Sequence, residues 1–397
     1  MSGELGVSVD YQPSASGPFL WHAFDRVRVD SDLATIARAG IRQVRVGLAW
    51  DAFMPDAHGV EPRRLAEFES LLRAALAHGV RVVPVLFVQA HGDCVMLPGR
   101  TVLRGRRRSG VRVMSEGLLE PGAPREVWTD PLMLELADRW ARAMASGFAN
   151  HPAIEAWDLG DDPAAVIRPR RIADLATWVR LAGAPLREQG DRVHLTLGAD
   201  DLLTGRGVRL GAVAPHLDRV DLAVRPSHLR RLELTEPSAL RFLAQLAQAL
   251  AGDTRVPVGL ALAAPTPDGD AEGIEEVAAA AAIDELLERR VEAGICGLRA
   301  TRWCDLHPRL AERAPYDRSG WLLRSGLIRL DGTERPALDV YRRAARAGLE
   351  SGEPRPWPSG LDVDEYYANL PDSLFDVAAG WRREHGDEPA ILDRSED

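Results

Sequence analysis

Three features of many secreted or membrane-bound proteins are scarce or missing in this 397-residue sequence. It has only three cysteines, Cys94, Cys296 and Cys304, and an odd, sparse set does not provide a disulfide framework. Residues 1–11 lack the basic stretch and apolar run of a secretory signal. No apolar run reaches the ~18 residues that a membrane helix needs. We therefore expect a protein of a reducing compartment, the cytoplasm, with no membrane partner.

The charge balance disfavours another class of partner. The formal net charge is -10, which argues against binding to nucleic acid or to an anionic membrane. Hydrophobic residues make up 46% of the chain, enough for one large core. Charged residues make up 27% and are mixed in sign, as in a globular protein.

Short apolar runs alternate with longer helical patterns along most of the chain. Eight runs predict strands, at residues 5–9, 43–49, 80–87, 153–159, 192–197, 219–224, 256–262 and 295–303. Helices are predicted between them, for example over 62–78 and over 31–39 with Asp30 as its cap. Eight strand–helix alternations predict a parallel (β/α)8 barrel, the TIM-barrel fold. A doubly wound open sheet is the alternative, but Gly6-Val7-Ser8 does not supply its glycine-rich phosphate turn.

We predict a single domain with an extension. Residues 1–347 hold the barrel, and residues 348–397 form the C-terminal extension. After a stretch rich in proline and glycine at 352–360, the extension carries several large apolar side chains, namely Tyr366, Tyr367, Leu370, Leu374, Phe375 and Trp381. These side chains predict a segment that packs on the barrel wall, with the last dozen residues disordered.

One stretch carries most of the functional information. Residues 150–163 have an apolar strand pattern that ends on Asp161 and Asp162, and barrel strands project side chains into the active site from this end. The stretch resembles the fourth strand of clan A glycoside hydrolases of the family 5 cellulase and mannanase type. That family has the pattern His-Pro-x-Ile-x-x-Trp-x-Leu-x-Asn-Glu-Pro, in which the Glu is the general acid/base. The resemblance implies that Asp162 occupies the acid/base position and that Asp161 replaces the Asn.

Other segments resemble the same family in the same order. Arg45 lies on the second strand, where the family has an Arg that orients the nucleophile, and Trp50 follows that strand. His91 follows the third strand, and Trp303 and Asp305 match the end of the eighth, where the family's Trp forms the floor of the sugar site. The resemblance implies that these five residues bind a carbohydrate or glycoside and that the ancestral activity is hydrolysis of β-glycosides without a cofactor. The cysteine and histidine spacings match no metal-binding motif, so we expect no metal.

The family's catalytic pair is altered here. Retaining glycosidases use two carboxylates about 5–5.5 Å apart. The nucleophile of this family is a Glu at the end of strand seven, where Leu262 or Ala263 stands in this chain. Asp162 is one methylene shorter than the Glu it replaces. We expect no turnover of aryl β-glucosides or β-mannosides and only weak binding of oligosaccharide.

Three interpretations remain open. The chain is a degenerate barrel, or pseudoenzyme, that keeps a carbohydrate-binding groove; or an active O-glycosyl hydrolase that uses Asp162 with a relocated nucleophile; or a non-catalytic structural or interaction protein. Candidates for relocated acids follow strand ends, and they are Asp161, Asp162, Asp200, Asp201, Asp268, Asp270 and Asp305. The alternative for each is a solvated loop residue or a helix cap.

Arginines are concentrated after the third and fourth strands. The loop 100–112 carries six of them, and three more follow the fourth strand, namely Arg168, Arg170 and Arg171. Because guanidinium groups bind carboxylates and phosphates bidentately, the cluster predicts an anionic sugar or an acidic partner. A mobile, solvated loop is the alternative. The sequence leaves the sugar, its linkage and the oligomeric state open.

Overall fold

Eight parallel strands close into a barrel in the structure, a computed structural model that describes residues 3–55, 59–87, 91–106, 110–205, 207–232, 234–263, 272–354, 357 and 360–386. The strands are β1 (Gly6–Asp10), β2 (Gln43–Gly47), β3 (Arg81–Phe87), β4 (Trp157–Asp161), β5 (Val193–Gly198), β6 (Arg219–Val224), β7 (Val258–Leu262) and β8 (Ile295–Ala300). Strand β1 pairs with both β2 and β8, which closes the sheet. The predicted (β/α)8 TIM-barrel fold is confirmed.

Seven long helices surround the strands in the part of the chain that the structure describes. They are α1 (Arg26–Arg38), α2 (Pro62–Ala77), α3 (Pro131–Phe148), α4 (Ile172–Glu188), α5 (Glu236–Leu250), α6 (Glu272–Glu288) and α7 (Pro336–Ala347). Between β5 and β6 the described residues form short helices, namely Ala199–Thr204, Leu210–Val213 and the 3-10 helix Ala214–His216. The expected alternation of long helices is therefore interrupted there. In the described parts of the chain, no helix has both the length and the apolar character needed to cross a membrane.

Helix α1 begins earlier than the sequence pattern predicts. Asp25, and not Asp30, is its cap, because the Asp25 carboxylate accepts hydrogen bonds from the backbone N–H groups of Val27 and Arg28. Helix α3 begins as expected at Pro131, where Asp130 accepts hydrogen bonds from two backbone N–H groups of the first turn.

The parallel strands place the predicted rim residues at one end of the barrel. Asp51, His91, Asp162, Asp200 and Asp305 each follow the C-terminal end of a barrel strand. Because all eight strands run in the same direction, these residues lie on one rim, as the sequence predicts.

Ion pairs fill part of the barrel interior, where branched apolar side chains are usual. Arg45 of β2 donates a hydrogen bond from Nε to Asp158 Oδ2 of β4 at 2.8 Å. Arg299 of β8 donates to Asp221 of β6 and also, at 2.9 Å, to Thr196 Oγ1 of β5. The side chains of Arg45, Asp158, Asp221 and Arg299 are all buried, so these bonds form away from water.

Two glycines make room for this network. A Cβ at Gly297 would lie 2.2 Å from Arg219 Nη2, and one at Gly259 would lie 2.1 Å from Asp221 Oδ1. Neither position can hold a larger residue unless the ion pair between Arg219 and Asp221 moves. The glycines of β7 and β8 therefore belong to the charged interior.

The C-terminal extension packs on the barrel through two helices, α8 (Val363–Ala368) and α9 (Asp372–His385). Its buried side chains belong to the same core as the barrel, and they include Tyr366, Tyr367, Leu374, Ala378 and Trp381. Trp381 lies edge-on to Phe242 of α5, with ring centroids 5.8 Å apart. The terminal residues that the sequence predicts to be disordered lie outside the described residues.

Substitution of Trp381 tests whether the extension is part of the cooperative fold. Trp381→Ala is expected to lower the free energy of unfolding by about 3–5 kcal/mol, because it removes a buried aromatic side chain and leaves a cavity. Trp321→Ala is the control, since that side chain is 50% exposed. The control is expected to change stability by less than about 0.5 kcal/mol. Urea unfolding followed by circular dichroism measures the free energy of unfolding of both variants. If Trp381→Ala lowers it as little as Trp321→Ala does, the extension unfolds independently of the barrel.

Candidate functional site

A pocket opens at the C-terminal ends of β1 to β4. Its wall is formed by Asp10, Tyr11, Gln12, Gly17, Pro18, Leu20, Arg45, Gly47, Ala49, Val85, His91, Met96 and Asp161. The active sites of TIM barrels lie at this end of the strands, so the pocket is the candidate functional site.

Arg45 holds two carboxylates at the pocket wall. Its Nη1 lies 3.3 Å from Asp161 Oδ1 and 3.6 Å from Asp10 Oδ1. Because both oxygens lie near the same nitrogen, they are no more than about 7 Å apart. Strand ends β1 and β4 thus bring two acids to one pocket, across a buried guanidinium group.

The pKa values of the two carboxylates are shifted in opposite directions. Burial raises the pKa of Asp10 to about 6, against the opposing effects of Arg299 and Arg45. Burial also acts to raise the pKa of Asp161, but Arg45, Arg299 and His91 outweigh it and the pKa is lowered. Asp161 is therefore ionised at neutral pH, whereas Asp10 takes up a proton in mildly acidic solution. Two acids whose pKa values are shifted in opposite directions are suited to separate acid and base roles.

Neutral polar groups complete the pocket wall. Burial lowers the pKa of His91 to about 4, although Asp161 acts to raise it, so the imidazole is uncharged at neutral pH. The Oε1 atom of Gln12 is buried and accepts no hydrogen bond from any residue that the structure describes. A buried acceptor without a donor costs about 1–3 kcal/mol. A hydroxyl group of a ligand would satisfy Gln12, and His91 can donate or accept a further hydrogen bond.

Asp162 is not one of the residues that line this pocket. Its φ of 48° is left-handed, and its carboxylate lies against β5, 2.9 Å from the position of a Cβ at Gly198. Its Oδ2 accepts a hydrogen bond of 2.8 Å from Arg225 Nη2. Burial raises the pKa of Asp162, although Arg225 opposes the shift. The carboxylate at the family's acid/base position is thus buried against β5 and paired with Arg225.

The acids after β5 belong to the surroundings of Asp162. Asp201 accepts a hydrogen bond of 2.9 Å from Arg168, and burial together with Asp162 raises the pKa of Asp201 to about 7. Asp200 Oδ2 lies 3.3 Å from His228 Nε2, and the other oxygen of Asp200 accepts from Arg231. These acids pair with nearby cations at the ends of β4 to β6. The other two candidates, Asp268 and Asp270, lie outside the described residues.

Three predicted sugar-binding residues lie in the core and do not line the pocket. Trp50 is 1% exposed and packs edge-on against Phe87, with ring centroids 5.2 Å apart. Trp303 is 4% exposed. Asp305 accepts two hydrogen bonds from Arg335, at 2.8 and 3.0 Å, and one from the Gly326 backbone N–H. All three side chains are therefore buried beside the rim and do not face the pocket.

The end of β7 carries no acid among the residues described there. Leu262 and Ala263 line a second pocket of about 410 Å³, between the barrel and helices α6 and α7. The wall of this pocket is mostly apolar, with Ile283 and Leu327 among its residues. The family's nucleophile position therefore contributes only aliphatic side chains here.

The arginine-rich loop folds into small β-sheets beside the pocket. Strands Cys94–Met96, Arg112–Ser115 and Leu118–Glu120 form one sheet, and Val102–Arg104 pairs with Gly122–Pro124. Arg112 donates hydrogen bonds to both Asp93 and Asp317, at 2.6 to 2.9 Å. Arg112 therefore ties the sheet to a segment after β8. Of the six arginines of the loop 100–112, Arg107 and Arg108 lie outside the described residues.

Metal ligands are not clustered in the parts of the chain described here. No group of three or more His, Cys, Asp or Glu side chains in those parts is arranged to hold a metal ion. The thiols of Cys94, Cys296 and Cys304 are free, and none of them lines the main pocket.

Comparison with known proteins identifies similar folds. No protein-family model matches the chain. No curated protein matches its sequence. A GH5_18 protein from Streptomyces cattleya, solved as a variant in complex with Manβ1-4GlcNAc, has a TM-score of 0.76 and 20% identity over 97% of this chain and 92% of that chain. A GH5_18 protein from Bifidobacterium longum subsp. infantis has a TM-score of 0.70 and 16% identity over 90% of this chain and 80% of that chain.

A longer enzyme has the same fold. An exo-β-1,4-mannosidase from Opitutaceae bacterium strain TAV5 has a TM-score of 0.71 and 21% identity over 86% of this chain. The match spans 59% of that enzyme's length. At such identities the comparisons establish the fold, which is that of family 5 glycoside hydrolases of clan A. The resemblance seen in the sequence is confirmed at this level.

Proposed function

We propose that this protein binds the terminal sugar of a neutral β-glycoside in the pocket at the ends of β1 to β4. The observation that carries the proposal is the polar wall of that pocket, where Asp10, Gln12, Arg45, His91 and Asp161 meet. These groups donate and accept hydrogen bonds in the way that sugar hydroxyls require. Proteins of the same fold were solved in complex with Manβ1-4GlcNAc and with GlcNAc. A β-mannoside is therefore the first ligand to test.

The charges of the pocket favour a neutral ligand over an anionic one. Two carboxylates, Asp10 and Asp161, line the wall, and the guanidinium group of Arg45 is already paired with both. Arg112 and Arg168 are paired with carboxylates elsewhere on the rim. An acidic sugar would meet repulsion from Asp161, and Arg45, the cation of the described pocket wall, is already paired with two carboxylates.

Hydrolysis through the ancestral pair is not part of this function. A retaining mechanism needs a nucleophile at the end of β7, and the aliphatic side chains of Leu262 and Ala263 cannot form the glycosyl–enzyme bond. General acid catalysis alone contributes about 10²–10⁴-fold, far less than total enzymatic accelerations. Asp162 also lies against β5 and not in the pocket wall. We propose that the strand-four and strand-seven positions of the family have lost their catalytic role.

Titration calorimetry with Manβ1-4GlcNAc tests the proposed function. The wild-type protein is expected to bind the disaccharide, and His91→Ala is expected to weaken binding by about 2- to 12-fold, since one hydrogen bond contributes about 0.5–1.5 kcal/mol. His216→Ala is the matched control, because His216 precedes β6 and lies at the opposite end of the barrel. Absence of binding to wild type, or equal loss in the two variants, would contradict the proposed site. Tighter binding of a glucuronide than of a neutral sugar would contradict the proposed preference.

A further inference from the structure

The pocket has its own pair of carboxylates, from strands that the family does not use together. Asp10 ends β1 and Asp161 ends β4, and an oxygen of each lies within 3.6 Å of Arg45 Nη1. Both carboxylates also line the wall of the same pocket, so a ligand in that pocket contacts both. The unpaired Oε1 of Gln12 lies in the same wall and independently indicates a hydroxylated ligand.

We propose that Asp10 and Asp161 form a relocated catalytic pair that hydrolyses a β-glycoside, with Asp10 as the general acid and Asp161 as the general base. This inference rests on the proposed function, because both acids act on a sugar held in the same pocket. It replaces the strand-four and strand-seven glutamates of the family with acids at the ends of β1 and β4.

The groups around each acid support this division of roles. Asp10 faces cations, anions and a phenol from three strands and one helix, namely Arg45, Arg299, Asp158, Asp161 and Tyr341. Asp161 faces groups that lower its pKa, namely Arg45, Arg299, Arg225 and His91. It also interacts with two carboxylates, Asp10 and Asp162. Burial dominates at Asp10 and favours its protonated form, whereas the cations dominate at Asp161 and favour its ionised form.

The reaction is a single displacement. The carboxyl group of Asp10 donates its proton to the glycosidic oxygen as the bond between that oxygen and the anomeric carbon breaks, and the leaving alcohol keeps the bonding electron pair. Asp161 removes a proton from a water molecule, whose oxygen forms the new bond to the anomeric carbon. Each turnover consumes one water, moves one proton from Asp10 and delivers one to Asp161, and exchange with solvent restores both groups. The configuration at the anomeric carbon inverts.

Hydrolysis of Manβ1-4GlcNAc and of 4-nitrophenyl β-D-mannopyranoside tests this pair. Contrary to the expectation from the altered family pair, wild type is expected to hydrolyse both. Asp10→Asn and Asp161→Asn are each expected to lower kcat by about 10²-fold or more, as loss of an acid or base does. Asp162→Asn is the matched control and is expected to change kcat by less than about 3-fold, an effect small beside a general acid or base contribution. Circular dichroism and calorimetry on each variant show whether it folds and still binds the disaccharide.

Two further readouts separate a catalytic role from a structural one. In wild type, kcat/KM is expected to fall as the pH rises through about 6, because Asp10 loses the proton that it donates. Asp162→Asn is expected to keep this profile. Proton NMR of the first product is expected to show an inverted anomer, and a retained anomer would overturn the assignment of Asp161 as a base.

The outcomes distinguish this inference from the function on which it rests. A wild-type protein that binds the disaccharide but hydrolyses neither probe would overturn the catalytic pair and leave the proposed binding function in place. Loss of activity in Asp162→Asn with activity kept in folded Asp161→Asn would also overturn the pair. A wild-type protein that neither binds nor hydrolyses would contradict both.

Discussion

Asp221→Asn is expected to lower the free energy of unfolding by about 3–5 kcal/mol, because it removes one partner of buried ion pairs. Asp221 accepts a hydrogen bond of 2.7 Å from Arg219 Nε and a second one from Arg299. All three side chains are within the barrel, and Arg299 is buried. The neutral amide keeps the shape of the carboxylate but leaves two guanidinium groups without their shared counter-charge.

An exposed ion pair provides the control for this prediction. Asp138 and Arg142 pair on the outside of α3, where both side chains are about half exposed. Asp138→Asn is expected to cost no more than about 1 kcal/mol, as is usual for surface pairs. Urea unfolding of both variants measures the difference. Equal losses would show that the interior network adds no more stability than a surface contact.

The loss of stability in Asp221→Asn is expected to depend on pH. Burial acts to raise the pKa of Asp221, but Arg219 and Arg299 hold it well below its usual range. A carboxylate with a depressed pKa stabilises the fold above its unfolded-state pKa of about 3.9, and this contribution is lost as the pH falls below that value. The stability difference between wild type and Asp221→Asn should therefore narrow as the pH is lowered below about 4. A difference that stays constant in that range would contradict the assignment to Asp221.

Arg45→Met is expected to have the second large effect. It should lower the free energy of unfolding by about 3–5 kcal/mol, because it leaves buried carboxylates without their cation. Asp158 loses the hydrogen bond from Nε, while Asp10 and Asp161 lose the charge of Nη1. Arg139→Met on α3 is the control, since Arg139 is well exposed and its pair with Glu135 lies on the surface. Urea unfolding compares the two.

Arg45→Met is also expected to change the pKa values of the two carboxylates in the pocket. Without Arg45, the pKa values of Asp10 and Asp161 are expected to rise, because that cation acts to lower both. Acids with raised pKa values destabilise the fold as the pH increases from their unfolded values towards the folded ones. Relative to wild type, Arg45→Met should lose stability as the pH is raised from about 4 towards neutrality. A stability difference that is larger at pH 4 than at pH 7 would contradict the role of Arg45.

The fold was accessible from the sequence because strands and turns left clear local patterns. All eight barrel strands overlap the predicted runs, and the rim residues follow from the parallel direction. The predicted start of α1 was wrong because Asp25 and Asp30 are both suitable caps. Only the structure shows which backbone N–H groups are within reach of each carboxylate.

The site was accessible only in part. Arg45, His91 and Asp161 were found because their segments resemble the family's strand ends, and the structure brings them together in one pocket. Asp10 and Gln12 were missed, although Asp10 directly follows the first predicted strand, and the strand-end argument could have found it. The resemblance directed attention to strands four and seven instead.

The direction of a side chain at a strand end is not encoded in local sequence pattern. Asp161 and Asp162 are neighbours of the same type, but the left-handed backbone at Asp162 directs the second carboxylate against β5. The burial of Trp50 depends on the short helix Trp50–Phe53 and on contact with Phe87 from the next strand. Such features result from packing between distant segments.

A crystal structure of Asp161→Asn soaked with Manβ1-4GlcNAc tests most directly whether the functional centre is the pocket between Asp10 and Asp161. The substitution is expected to slow hydrolysis enough to keep the disaccharide intact. The predicted result is a sugar ring in the pocket beside Gln12 and His91, with its anomeric carbon facing Asp10 and with the pair between Asp162 and Arg225 unchanged. A sugar bound over Asp162 and the end of β7, with Arg225 displaced, would contradict the account.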